Sequence, residues 1–378
     1  MINRQIAEAS HHRVALLGDV VDFLDSKRRP VTESDRKPGP YPYYGANGIQ
    51  GSIDDFIFDE PLVLLAEDGG HFDNPGRGIA YSISGPSWVN NHAHVIRPKS
   101  GLDLSYLCRI LENYDVRPYI TGTTRGKLTK AGASNIPIPV PPLDEQRRIA
   151  AILDKADALR QKRKRAIAVL DSLTRSLFLE MFGDPISNPE RHPVEQVGAI
   201  TDCIVPGRDK PKSFTGPIPW ITTGEMVLLG ETRAEHAKAG LSVEEIQQVR
   251  ARTIPAGSVL LSCVGDLGKT SIAGENMVIN QQLHSFQCSA ALTAEYLMHA
   301  LIHQVDYMRR MATKTILPYM NKSVCNSIPV QVPPIEVQRE FSKQVARINL
   351  TKAQSEKLLC GNDELFASLR HRAFSGQL

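Results

Sequence analysis

No stretch of this 378-residue chain approaches the roughly 18 consecutive apolar residues that a membrane-spanning helix needs. The amino terminus also lacks the apolar core of a secretory signal, so a soluble, cytoplasmic protein that makes no use of a membrane is expected. Cysteine is sparse. Cys108, Cys203, Cys263, Cys288, Cys325 and Cys360 are scattered, with no Cys-x-x-Cys pair for zinc or redox chemistry, as befits reduced thiols. An excess of one charge is missing too: the formal net charge is +3, and each globular half is close to balance. Any surface that attracts a polyanion must therefore gather its cations on one face. Gly-x-Gly-x-x-Gly and Asn-Pro-Pro-Tyr-like signatures are absent, which leaves no place for S-adenosylmethionine. Gly265-Asp266-Leu267-Gly268-Lys269-Thr270 imitates a phosphate-binding loop, but Cys263 stands where its first glycine belongs, so it is read as a strand-connecting turn. His92-Ala93-His94 is a candidate metal pair on a strand. No nearby Cys or acidic set completes a site, so a packed or hydrogen-bonded role is expected and no metal is assigned.

What the chain does have, it has twice. Val14 to Asp22 parallels Val194 to Asp202, and Ile136-Pro137-Ile138-Pro139-Val140-Pro141-Pro142 with Gln146-Arg147 parallels Ile328-Pro329-Val330-Gln331-Val332-Pro333-Pro334 with Gln338-Arg339. Ser172-Leu173 with Phe178 matches Ser368-Leu369 with Phe374. A period this long is a duplicated domain, not a solenoid. The order is globule, helix, globule, helix, with boundaries at 1–142, 143–184, 185–334 and 335–378. The globules read as mixed α/β: apolar runs such as Leu62-Val63-Leu64-Leu65 and Val259-Leu260-Leu261 sit between Gly, Pro and Asn clusters.

The helices carry a coiled-coil pattern. In the first, Ile149, Ile152, Ala156, Leu159, Arg163, Ala166, Leu170, Leu173 and Leu177 recur in steps of three and four. In the second, the seam runs through Phe341, Val345, Ile348, Lys352, Ser355, Leu359, Asn362, Phe366, Leu369 and Ala373. Polar residues near the middle of each set register at some cost in stability. Two long helices without another partner are expected to pack on each other, since so much apolar surface would otherwise stay wet.

These repeats carry a resemblance. Gly122-Thr123-Thr124-Arg125-Gly126-Lys127-Leu128, followed by Ile136 to Ala150, resembles the end of a target recognition domain running into a spacer helix in specificity subunits of Type I restriction–modification systems. Leu369 to Leu378 resembles the usual finish of that family, and Tyr41 to Gly48 with Gly51, like Gly257 to Ser262 with Asn280-Gln281, resembles its recognition-domain motifs. The similarity covers nearly the whole chain in the family's order; Val337 stands where a Glu is expected before Gln338.

The resemblance implies an α+β fold of two mixed α/β target recognition domains in tandem. Two long antiparallel coiled-coil helices separate and join them, with a pseudo-two-fold internal repeat. It implies a non-catalytic reader of double-stranded DNA. Each domain would take one half-site of an asymmetric, split target, and the helices would act as a fixed ruler. Two methyltransferase subunits, and two restriction subunits in the full complex, are the implied partners. S-adenosylmethionine, ATP and magnesium are expected only on those partners. A helix of about 60 Å suits half-sites spaced by one DNA turn, roughly 34 Å.

The stretches just before each Pro-Pro hold basic residues and no acid: Arg117, Arg125, Lys127 and Lys130 in the first copy, Arg309, Arg310, Lys314 and Lys322 in the second. A solvated basic face is the ordinary fate of such runs, but recurrence at the same place favours a phosphate-facing surface, which fixes register without telling bases apart. Base reading needs Arg or Lys for guanine and Asn or Gln for adenine. The candidates are Lys27, Arg28, Arg29, Arg36, Lys37 and Arg77 in the first globule, and Arg208, Lys210, Lys212, Lys269 and Asn321 in the second. Surface loops without base contact remain an equal alternative for any one of them. Two other readings stay open: a diverged methyltransferase or nuclease with its own active site, and a coiled-coil scaffold that binds only proteins.

Overall fold

The computed structural model describes residues 12–122, 126–188, 190–207 and 209–378. Its main helices are α1 (Leu104–Leu111), α2 (Leu143–Phe182), α3 (Ala294–Ile302) and α4 (Ile335–Phe374). The chain forms two compact units, residues 1–164 with 357–378 and residues 165–356, so both 40-residue helices are shared between units. Among the described residues, no helix is long and apolar enough to cross a membrane.

In the first unit Leu62–Ala66, buried along its whole length, is the inner strand of a four-stranded sheet. It pairs antiparallel with Ala80–Ile83 and Ala93–Pro98, and the latter with Val21–Phe23. A second four-stranded sheet places Tyr41–Gly45 parallel to Pro86–Val89, with Gly48–Ile53 and Phe58–Asp59 at its edges. The second unit repeats both. Val259–Ser262 lies between Thr270–Ala273 and Leu283–Cys288, and Ile218–Ile221 runs parallel to Met277–Ile279. Glu231–Thr232 is an addition of the second unit, widening its first sheet to five strands. The stretch Gly265 to Lys269 connects two antiparallel strands, as a turn should.

A small two-stranded ribbon ties the ends of each globule together, Val14–Leu16 with Pro137–Pro139 and Val194–Gln196 with Pro329–Gln331. Beside each ribbon, glycine allows a close approach. A Cβ at Gly18 would meet the Ser134 side chain at 2.9 Å, and one at Gly198 would meet Asn326 at 2.5 Å.

The repeated Pro-Pro-x-x-x-Gln signal has a physical cause. Fully buried Gln146 accepts from the Asp103 amide at 2.8 Å and donates to the carbonyls of Gly101 and Pro141, at 2.9 and 2.8 Å. Gln338 repeats this with the Thr293 amide and the carbonyls of Ala291 and Pro333, at 2.9, 2.9 and 2.8 Å. Asp103 and Thr293 are in turn the N-caps of α1 and α3. One buried amide side chain thus locks the start of a long helix to the start of a short one and satisfies three backbone groups.

The long helices pair antiparallel within each unit. In the first, Arg160 on α2 bonds Asp363 on α4 at 2.6 Å and stacks on Phe366, while Arg148 donates to the Leu378 carbonyl. In the second, Lys352 meets Asp171 at 2.6 Å and Phe341 packs edge-on to Phe178. Every position expected on the α4 seam is buried or half-buried. On α2 part of the expectation is corrected. Ile149, Ile152, Ala156, Arg163, Leu170 and Leu177 are buried or half-buried, with Leu153 buried beside Ile152, but Leu159, Ala166 and Leu173 are exposed and Arg160, Ile167 and Thr174 take their places. Leu159 and Leu173 are 45% and 44% exposed. Arg160 holds its inward place through its ion pair and its aromatic contact, neither of which an apolar count registers.

Candidate nucleic-acid interface

In the first repeat, three strand ends bring together side chains far apart in sequence. Asp25 lies in the turn after Val21–Phe23, Glu67 directly follows Leu62–Ala66, and His94 sits on Ala93–Pro98; their ligating atoms lie within 4.8 Å of one another. His94 Nδ1 is 2.6 Å from Asp25 and Nε2 is 2.7 Å from the Leu128 carbonyl, so both ring nitrogens face oxygen acceptors. Arg28 donates to Glu67 at 2.6 Å and to the Ala93 carbonyl at 2.7 Å, and Lys127 reaches Glu67 at 2.9 Å. Burial works to raise both carboxyls. Hydrogen bonds from Lys127 and Arg28 to Glu67, and from His94 and the Val95 amide to Asp25, override it and hold both below their ordinary values.

The expectation that no acidic set lies near His94 is corrected in space, because the fold supplies Asp25 and Glu67. His92 stands outside the strand and pairs with Asp68 at 2.6 Å. Protein cations already face the two carboxylates, which makes the cluster a salt-bridge network that pins the loop Thr121–Lys127 to the sheet. That loop closes on itself through reciprocal backbone bonds between Thr121 and Lys127.

Arg28 is therefore turned inward, 12% exposed in its side chain. Lys27, Arg29 and Lys37 are exposed. Arg36 lies over the Tyr43 ring at 3.9 Å and donates to the carbonyls of Val31 and Gln50. Lys130 is exposed above the Phe23 ring, and Arg117 pairs with Asp115 at 2.7 Å. Arg77 lines a different cleft, with Glu112, Asp157, Lys164 and Asp363. Arg125 and Arg208 lie outside the described residues.

The second repeat rebuilds the frame with other side chains. Cys263 occupies the place of Glu67: its carbonyl accepts from Met320 at 2.9 Å as that of Glu67 accepts from Leu128 at 2.7 Å. Its amide donates to Gln282 as that of Glu67 does to His92, both at 2.8 Å. The loop Thr313–Tyr319 closes where Thr121–Lys127 does. Lys210, Lys212, Arg310 and Lys314 are exposed, and Arg309 is exposed beside Asp306 at 3.7 Å. Lys269 pairs with Asp266 at 2.9 Å, Lys322 donates to the Cys203 carbonyl at 2.8 Å, and Asn321 caps the short helix Lys322–Asn326.

Two exposed amides, Asn91 and Gln281, are not among the candidates that sequence reasoning picks out, and Gln281 donates to the Gly207 carbonyl at 3.0 Å. They occupy equivalent turns before the strands Ala93–Pro98 and Leu283–Cys288, beside the closed loops, and amides of this kind suit adenine. The signal available was positional: an Asn-Asn-His turn in one copy and an Asn-Gln-Gln turn in the other.

The model of the Type I restriction modification DNA specificity domain matches residues 13–169 and again 195–358. A putative type I restriction enzyme specificity subunit from Haemophilus influenzae is 32% identical over 285 residues, covering 72% of this chain and 71% of that protein. The MjaVIII specificity subunit of Methanocaldococcus jannaschii is 24% identical over 50% of this chain and 46% of its own length. Among solved structures, the Type I restriction–modification S subunit from M. genitalium superposes with a TM-score of 0.65 over 97% of this chain and 96% of that one. At 15% identity, that likeness speaks for the fold. Two family matches lie on two globules that share one strand order and one buried glutamine lock, and the chain belongs to the DNA specificity subunits of Type I restriction–modification systems, recognition components rather than enzymes.

Proposed function

We propose that each unit reads one half of an asymmetric, split target in double-stranded DNA, and that the chain brings methyltransferase subunits, and in the full complex restriction subunits, to that target. S-adenosylmethionine, ATP and magnesium enter with those cytoplasmic partners in this reading. The observation that carries it is the pair of closed loops, Thr121–Lys127 and Thr313–Tyr319. Each is attached to an equivalent strand end by an equivalent backbone bond, from Leu128 to Glu67 and from Met320 to Cys263, and the two differ in residue type at five of seven positions. A duplicated frame with unlike loops is what two unlike half-sites require. The exposed Lys27, Arg29, Lys37 and Lys130 in one unit, and Lys210, Lys212, Arg309, Arg310 and Lys314 in the other, supply phosphate contacts. By residue type alone, Arg208 remains a candidate for base contact and Arg125 for phosphate contact.

The test is a map of methylated sites in a host genome with and without the gene. The expected result is a gene-dependent motif of two dissimilar halves around an unread interval. A continuous or palindromic motif, or none, would overturn the reading.

A further inference from the structure

The loop Thr313–Tyr319 carries an apolar tip that solvation does not explain. Ile316 is fully exposed at 108%, Leu317 is 59% exposed, and Tyr319 and Met311 nearby are 41% and 47% exposed. The tip is fastened by four hydrogen bonds. Thr313 donates its amide to the Tyr319 carbonyl at 3.0 Å and accepts the Tyr319 amide on Oγ1 at 3.1 Å. The Thr315 hydroxyl donates to the Leu317 carbonyl at 2.7 Å, and the Gly265 amide fastens the Pro318 carbonyl to the neighbouring turn at 2.8 Å. Two aliphatic side chains displayed on a pinned loop mark a contact surface.

What meets them follows from charge. No acidic residue occurs from Tyr307 to Ile335; the neighbouring Asp306 and Asp266 are paired with Arg309 at 3.7 Å and Lys269 at 2.9 Å, and Arg310 and Lys314 are exposed close to the tip in sequence. A polyanion fits this surround. In the first copy the same loop reads Gly122-Thr123-Thr124-Arg125-Gly126, polar and suited to hydrogen-bonded bases; in the second it reads Lys314-Thr315-Ile316-Leu317-Pro318. In the major groove, the base feature that an aliphatic side chain recognises is the thymine methyl group.

Building on the DNA-reading role proposed above, we infer that Ile316 and Leu317 are specificity-determining residues that recognise thymine 5-methyl groups in the half-site of the second unit. The experiment uses the full chain assembled with its methyltransferase partner, and duplexes of the mapped target in which the thymines of one half-site at a time are replaced by uracil. Uracil keeps every hydrogen-bonding group and loses only the methyl. Affinity for one of the two substituted duplexes is expected to fall about three- to fivefold per contacted methyl, the weight of one buried methylene-sized group. The Ile316→Ala/Leu317→Ala variant is expected to assemble normally, to bind the thymine duplex as weakly as the uracil one, and to leave the other half-site's response unchanged.

Indifference of the unmodified chain to uracil in both halves overturns the inference. So does a variant that still discriminates, or a target half without an A·T pair. A variant that binds DNA normally but no longer assembles gives the tip to the protein partner, and overturns it as well. A complex with no sequence-specific binding at all would instead strike the underlying proposal, so the two failures are distinguishable.

Discussion

The two units place different chemistry on one backbone frame. At the end of the inner strand, the first holds Glu67 with Arg28, Lys127, Asp25 and His94, a network of charges closed on itself. The second holds Cys263, fully buried, with its thiol donating to the Gln282 carbonyl at 3.2 Å and with Cys325 beside it pulling it below its ordinary value. His284, in the place of His94, leaves Nδ1 without a hydrogen-bond partner among the described residues. The shared strands and the backbone bonds that fasten each loop to its strand end are alike, although the first loop closes through two backbone bonds and the second through one backbone bond and the Thr313 hydroxyl, so the frame tolerates different side chains. The backbone bonds do the joining, and the side chains are free to diverge as far as packing and charge compensation permit.

The largest expected effect tests the part of the frame that is the same in both. Gln146→Ala and Gln338→Ala should each strip three backbone groups of their partner, the proline carbonyl in a buried place, and cost about 3 kcal/mol in their own unit. Hydrogen exchange of the strands in each unit under mild denaturant checks this. A loss in one unit only, or markedly unequal losses, would break the equivalence.

A smaller difference should separate the units. Glu67→Gln removes the carboxylate facing Arg28 and should cost about 2 kcal/mol, whereas Cys263→Ser should cost about 1 kcal/mol. The same contrast has a pH signature. Asp25 and Glu67 are held below their ordinary values of 3.8 and 4.5, so their contribution is complete above those values and is lost as pH falls through the lowered ones. Exchange protection in the Leu62–Ala66 strand should therefore fail in acid before that of Val259–Ser262, and Glu67→Gln should narrow the gap. Simultaneous acid failure of both strands would contradict the assignment.

The smallest expected effect sharpens the helix comparison. Leu173→Gln, at a position exposed on α2, should change stability by no more than about 0.5 kcal/mol. Leu153→Ala, on the buried face of the same helix, should cost about 3 kcal/mol. Urea unfolding of the two variants distinguishes the observed seam from the one expected of apolar spacing alone.

Why the two seams differ in legibility follows from their residues. On α4, apolar residues at both ends of the heptad pattern, Phe341, Val345, Phe366 and Ala373, are buried and fix its phase. On α2, Leu159 and Leu173 offer a rival stripe one residue out of step, and only contact with Asp363 and Phe366 brings Arg160 inward instead. The candidate interface was legible to a similar extent. Composition picks out basic residues, but not which are outward cations and which are internal struts. Arg28 and Arg29 are neighbours in sequence, yet one is tied to Glu67 and Ala93 and the other is exposed.

By itself the sequence determined the duplication, the four-part order, the long helices and the family, because each is written in local spacing that recurs. Only the tertiary structure decided that Asp25, Glu67 and His94 share a site, that Lys127 closes a loop upon it, and that Ile316 and Leu317 stand in solvent. Burial and charge pairing are properties of the neighbours a residue acquires on folding, and those neighbours lie tens of residues away along the chain.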